Sequence, residues 1–179
     1  MEPQRINFKF LSLWTVANFI GWGFHSFYLV FQNLYASPRG GLIGLCVLLG
    51  CAQWLVLNKF FRVDSNWLWI SAITYGVLFS LLILLHIENE KGHILLVFGV
   101  LMVLGFLQRS VLNYYFYGSF LWVLSSPIAG VLGVISAGGT LPVTGISSLW
   151  ECPVFGLVYG LITGGVLTFM YTITASSKA

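Results

Sequence analysis

Long apolar runs dominate the chain, separated by short clusters of Pro, Gly, Asn and charged residues. Six of these runs approach or reach the ~20 residues that a helix needs to cross a bilayer. They cover residues 10–31, 41–57, 67–87, 93–112, 118–137 and 153–174. A spanning β-strand would instead be ~9–11 residues of alternating polarity, and no alternation is present. In hydrocarbon every backbone N–H and C=O must be paired, which a helix does within its own segment. The pattern therefore predicts an all-α integral membrane protein of six transmembrane helices. Six spans of ~20 residues use about 120 of the 179 residues. What remains is connector, so a single transmembrane domain over 1–179 is expected.

Composition agrees with the pattern. Hydrophobic residues make up 58% and charged ones 7%, and the mean hydropathy is +0.92. Soluble domains carry roughly 25% charged residues, so a soluble fold and a disordered chain are both excluded. The net charge of +3 is scattered, which excludes a phosphate-binding surface for nucleic acid. Charge also orients the bundle. Arg5, Lys9, Lys59, Arg62, Arg109 and Lys178 fall on one side, and only Arg39 and Lys91 on the other. The positive-inside rule makes the first side, with both termini, cytoplasmic. The first run is longer than the ~7–15-residue core of a signal peptide and lacks a small-x-small cleavage site, so it is expected to be retained.

A 55-residue period runs through the chain. Gly50, Gly105 and Gly160 share it, as do Gln53, Gln108 and Thr163, then Val56, Val111 and Val166. Among the odd-numbered runs, Trp14 and Trp69, Ala17 and Ala72, Gly21 and Gly76, and Trp67 and Trp122 are also 55 apart. The reading is three two-helix hairpins, approximately 10–60, 65–115 and 118–174, in a pseudo-threefold bundle. Parallel repeats of this kind occur in transporters and serve equally for packing. The run Gln53-Trp54-Leu55-Val56-Leu57 resembles a group of poorly characterised multi-pass membrane proteins of cyanobacteria that repeat Gln-Trp-Leu-Val-Leu. Those proteins have Arg after the run, where this chain has Asn58 and Lys59; the second copy reads Gln108-Arg109-Ser110-Val111-Leu112, and the third lacks Gln. The resemblance implies a bacterial plasma membrane or thylakoid and no established activity.

The candidate site residues are polar groups inside the spans. Gln53, Gln108 and Thr163 should lie at equivalent heights. They are either interhelical hydrogen-bonding groups or a polar ring around a ligand or solute path. Gly156, Gly160 and Gly164 recur every four residues and suit close helix packing. Pro127 is placed to kink the fifth span. Arg109, near a span end, is expected to reach the interface. His25, His86 and His93 are the weak metal candidates, with Glu88 and Glu90 nearby, yet their spacing matches no known site, so neither metal nor cofactor is predicted. Cys46 and Cys51 share one helix and Cys152 lies near the outer surface, so no disulfide is implied. Trp67, Trp69, Tyr114, Tyr115, Tyr117 and Trp150 sit near span ends, as an aromatic belt does. Trp14, Trp22, Trp54 and Trp122 lie deeper. No His-Glu-x-x-His, Gly-x-Ser-x-Gly or phosphate loop occurs, so no catalytic residue and no enzyme activity are expected. Two functions remain: an accessory or scaffold subunit of a membrane complex, or a small transporter, pore or lipophilic-ligand carrier. The expected partners are the lipid bilayer and other membrane subunits.

Overall fold

The structure is a computed structural model, and it describes residues 3–35, 41–85, 90–138 and 148–177. All regular structure among them is helical: α1 (Pro3–Tyr35), α2 (Gly41–Phe61), α3 (Asn66–Leu85), α4 (Glu90–Leu112), α5 (Phe120–Ser136) and α6 (Ser148–Ser176). Each helix coincides with one apolar run of the sequence. Among the described residues two stretches are long and apolar enough to cross a membrane by length and composition, Ile94–Leu112 and Trp150–Ser176; Cys46–Phe61 and Phe120–Ser136 are shorter apolar helices.

Each helix packs against its neighbours in the chain, and α6 returns to α1, so the six form a closed ring. Glycines set most of the seams, because a missing Cβ lets backbones approach. A Cβ on Gly50 of α2 would lie 2.9 Å from the Leu68 carbonyl oxygen of α3, and one on Gly105 of α4 would lie 3.0 Å from Cα of Val123 in α5. Along α6, a Cβ on Gly156 would meet the Asn18 carbonyl oxygen at 2.6 Å, one on Gly160 Cα of Thr15 at 3.0 Å, and one on Gly164 Cδ1 of Trp14 at 2.7 Å. Gly21 faces Leu49 across the α1–α2 seam, and Gly133 faces Phe155 across the α5–α6 seam. Among the described glycines none closes the α3–α4 seam: a Cβ on Gly76 of α3 or Gly99 of α4 would meet nothing within 4 Å.

Two connectors at one end of the ring are short. The first spans residues 62–65. Arg62 adopts φ 55°, the left-handed geometry that commonly ends a helix, and its N–H reaches the Asn58 carbonyl at 3.0 Å. Asp64 Oδ1 accepts from Asn66 N–H at 2.7 Å and caps the start of α3. In the second connector Gly118 takes φ 74°, and Tyr117 N–H donates to Thr174 Oγ1 of α6 at 2.8 Å.

Apolar side chains lie both on the outer wall of the ring and in its interior, and a few buried polar residues sit among the inner ones. Outward positions carry Phe19, Ile20, Leu55, Ile73, Phe106, Leu107, Ile128, Ile135, Leu161 and Phe169, all exposed. Inward positions include Asn18, Gln53, Ser71, Gln108, Ser126 and Thr163, all buried. The interior is stacked in layers. Phe10, Phe61 and Phe116 lie toward the short connectors, with Phe61 edge-on to Phe10 at 5.0 Å and to Phe116 at 4.9 Å. Next come Trp14, Trp67 and Trp122 beside the buried Leu57, Leu112 and Leu167. A second apolar cluster, containing Trp22, Tyr75, Leu101, Phe155 and Tyr159, fills the far half.

Candidate functional site

The polar residues singled out by sequence lie between these two clusters. Three tryptophans form the floor of this region. Their ring centroids are 6.2 Å apart for Trp14–Trp67, 6.2 Å for Trp14–Trp122 and 5.5 Å for Trp67–Trp122. All three side chains are fully buried. They come from α1, α3 and α5 and meet at the middle of the ring.

This corrects two sequence expectations. Trp67 is not part of an interfacial belt; it is core. Trp14 was matched with Trp69 at a spacing of 55, yet Trp69 is exposed at 58% while Trp14 is buried. The residue that shares the surroundings of Trp14 is Trp67, 53 positions on. The two-residue offset is possible because a helix repeat sets the face of a residue only within its own helix, and a connector can add or drop residues between helices. Gly21 and Gly76 differ in the same way, the first packed on Leu49 and the second with no near neighbour.

One turn along from each tryptophan is a buried polar residue: Asn18, Ser71 and Ser126. The amides of α2 and α4 bridge these odd-numbered helices. Gln108 Nε2 donates to Ser71 Oγ at 2.7 Å, and Gln108 Oε1 accepts from Trp122 Nε1 at 2.8 Å. Gln53 Nε2 donates to Asn18 Oδ1 at 2.8 Å and to the Tyr75 hydroxyl at 3.3 Å. Asn18 Nδ2 in turn donates to the Trp14 carbonyl at 2.9 Å. Thr163 Oγ1 accepts from Trp14 Nε1 at 3.0 Å and donates to the Tyr159 carbonyl at 2.6 Å. Tyr159 is joined to Ser126 by a hydroxyl–hydroxyl contact of 2.9 Å.

Gln53, Gln108 and Thr163 are thus each tied to an odd-numbered helix that carries one of the three tryptophans. The arrangement holds one asymmetry. Gln108 Oε1 and Thr163 Oγ1 each accept an indole N–H, whereas Gln53 Oε1 and Trp67 Nε1 are both buried without a hydrogen-bond partner among the described residues. Chemically the layer offers amides, hydroxyls and indoles, none of which is an acid, base or nucleophile at neutral pH without an activating neighbour.

The other candidates fall elsewhere. Gly156, Gly160 and Gly164 all face α1. Arg109 stands over the Phe120 ring, 5.6 Å from its centroid. Pro127 is buried within α5. His86 lies outside the described residues, as do the side chains of His25 and His93. Among the described residues no three His, Cys, Asp or Glu side chains gather as metal ligands. The three cysteines form no disulfide; Cys46 and Cys152 are buried and Cys51 is partly buried.

Sequence reasoning did not single out Ser71, Tyr75, Ser126 and Tyr159 as members of the network. The available signal is Trp-x-x-x-(Asn/Ser), present as Trp14/Asn18, Trp67/Ser71 and Trp122/Ser126. No family model, curated protein or solved structure matches the chain.

Proposed function

We propose that this is a multi-pass membrane protein whose six helices form three hairpins about an axis along the membrane normal, with both termini cytoplasmic, and that it acts as a non-enzymatic accessory or scaffold subunit of a membrane complex. The observation that carries the reading is the plugged axis. Trp14, Trp67 and Trp122 meet there, fully buried, and Gln108, Thr163 and the amide nitrogen of Gln53, which a solute path would need, are engaged in helix-to-helix hydrogen bonds. A ring sealed in this way is suited to holding its own shape and presenting its outer wall. That wall is apolar on every helix, which supports burial in lipid, where a soluble protein would be penalised for patches this large. The hairpin repeat is supported by Gly50, Gly105 and Gly160, which abut α3, α5 and α1 respectively. Membership of the cyanobacterial Gln-Trp-Leu-Val-Leu group belongs to the same proposal and adds no reaction to it.

The carrier reading has one observation in its favour: Gln53 Oε1 and Trp67 Nε1 are an unspent acceptor and donor inside the bundle. Gentle extraction from the native membrane followed by native mass spectrometry separates the two. Stoichiometric partner subunits are the expected result. A lone protein retaining a small molecule, released by Gln53→Leu, would overturn the accessory reading in favour of the carrier.

A further inference from the structure

Among the described residues no glycine closes the α3–α4 seam, and a cleft of about 470 Å³ opens there. Small-ligand sites span ~300–1,000 Å³. The cleft sits at the start of α3 and the end of α4, beside the two short connectors. Its wall carries a carboxylate, Asp64, and three aromatic rings, Trp69, Tyr114 and Tyr115; none of the lining residues is basic. Trp69 is 58% exposed and Tyr114 90% exposed, large aromatic areas left to the surroundings. Tyr114 and Tyr115 stand edge to face at 5.7 Å. Further along α3 the lining turns apolar, with Ile70 and Ile73, the latter 65% exposed.

We propose that this cleft binds the ammonium headgroup of a zwitterionic phospholipid. The proposal rests on the membrane reading above, which puts the cleft mouth at the bilayer surface. Aromatic faces attract an alkylammonium through their quadrupoles, and a carboxylate adds a charge-assisted hydrogen bond. A wall with a carboxylate and no cation disfavours an anionic headgroup by like charge. The apolar floor past Ile70 and Ile73 leads along the outer wall, where an acyl chain would lie. That continuity favours a lipid over a free ammonium compound. Asp64 contributes one oxygen to capping α3, which fixes the carboxylate at the mouth of the cleft.

The test is native mass spectrometry of the purified full chain in a neutral detergent, titrated with dioleoylphosphatidylethanolamine or dioleoylphosphatidylglycerol. One ethanolamine lipid should be held roughly three- to tenfold more tightly than the glycerol lipid, the range set by exposed cation–π and ion-pair strengths. Asp64→Asn keeps a good cap and should erase that preference, and Trp69→Leu, at an exposed position, should reduce it. Equal binding of the two lipids by the parent chain, or an unchanged preference in Asp64→Asn, overturns the proposal. Alkaline extraction of the same membranes reports separately on the membrane reading. A chain that stays with the bilayer but shows no headgroup preference removes the lipid site alone.

Discussion

Replacing each central tryptophan by phenylalanine should give three different costs, although the three deletions remove the same atoms from equally buried sites. The lost indole ring leaves a similar void each time, so the void largely cancels and hydrogen bonding decides the order. In Trp122→Phe the Gln108 Oε1 acceptor, 2.8 Å from the deleted N–H, is stranded. A buried unsatisfied group costs ~1–3 kcal/mol, while hydrogen bonds inside membrane proteins average ~0.6 and reach ~1.7 kcal/mol; about 1–2 kcal/mol is expected. Trp14→Phe should cost less, about 0.6 kcal/mol, because Thr163 Oγ1 keeps its own bond to the Tyr159 carbonyl. In Trp67→Phe a donor without a partner is removed, so the polar contribution is nil or slightly favourable. The assay is reversible unfolding of the three variants in mixed micelles, followed by tryptophan-independent far-UV signal. A double-mutant cycle of Trp122→Phe with Gln108→Leu should show coupling of about 1 kcal/mol, roughly a fivefold change in the ratio of folded to unfolded protein. Equal costs for Trp67→Phe and Trp122→Phe, or an additive cycle, would refute the hydrogen-bond assignment.

Along α6, Gly156→Ala should destabilise by ~1–3 kcal/mol through overpacking, since the new methyl meets the Asn18 carbonyl at 2.6 Å; Gly165→Ala, with nothing within 4 Å, should be neutral or stabilising by up to ~1 kcal/mol, and thermal unfolding in detergent ranks them. Arg62→Gly should stabilise by about 1 kcal/mol, because a non-glycine residue at φ 55° carries a left-handed penalty of ~1–2 kcal/mol; an unchanged unfolding midpoint would show that the loop relaxes. Gln53→Leu should destabilise by about 1 kcal/mol by stranding Asn18 Oδ1, seen in the same unfolding assay.

The helices were legible because apolar runs as long as 67–87 or 153–174 have few alternatives, and all six observed helices overlap the expected runs. Gln53 and Gln108 were legible as well, since an amide in an apolar helix must find partners. Their partners were not. Ser71, Tyr75, Ser126 and Tyr159 are residue types that an apolar helix tolerates on any face, so nothing in their identity separates a network member from a bystander. Trp14 shows a further limit. Two tryptophans, Trp67 and Trp69, lay near the expected spacing, and only the packing of α1 against its neighbours selects the one that turns inward. The α3–α4 cleft left no trace in the pattern, because it depends on how two helices sit beside each other rather than on either alone.

The return of α6 to α1 also fixes an order of events during synthesis. Trp14 and its partner Thr163 are 149 residues apart. At ~5–20 residues per second, the first helix waits roughly 7–30 s before the last one exists. Asn18 waits far less, because Gln53 follows it by only 35 residues, a delay of roughly 2–7 s at the same pace. The buried amide of α1, Asn18, is therefore satisfied while the chain is still emerging, and the groove that will receive Gly156, Gly160 and Gly164 stays open. The ring is a clasp whose catch is made last, and until then the newborn protein has one unfinished side.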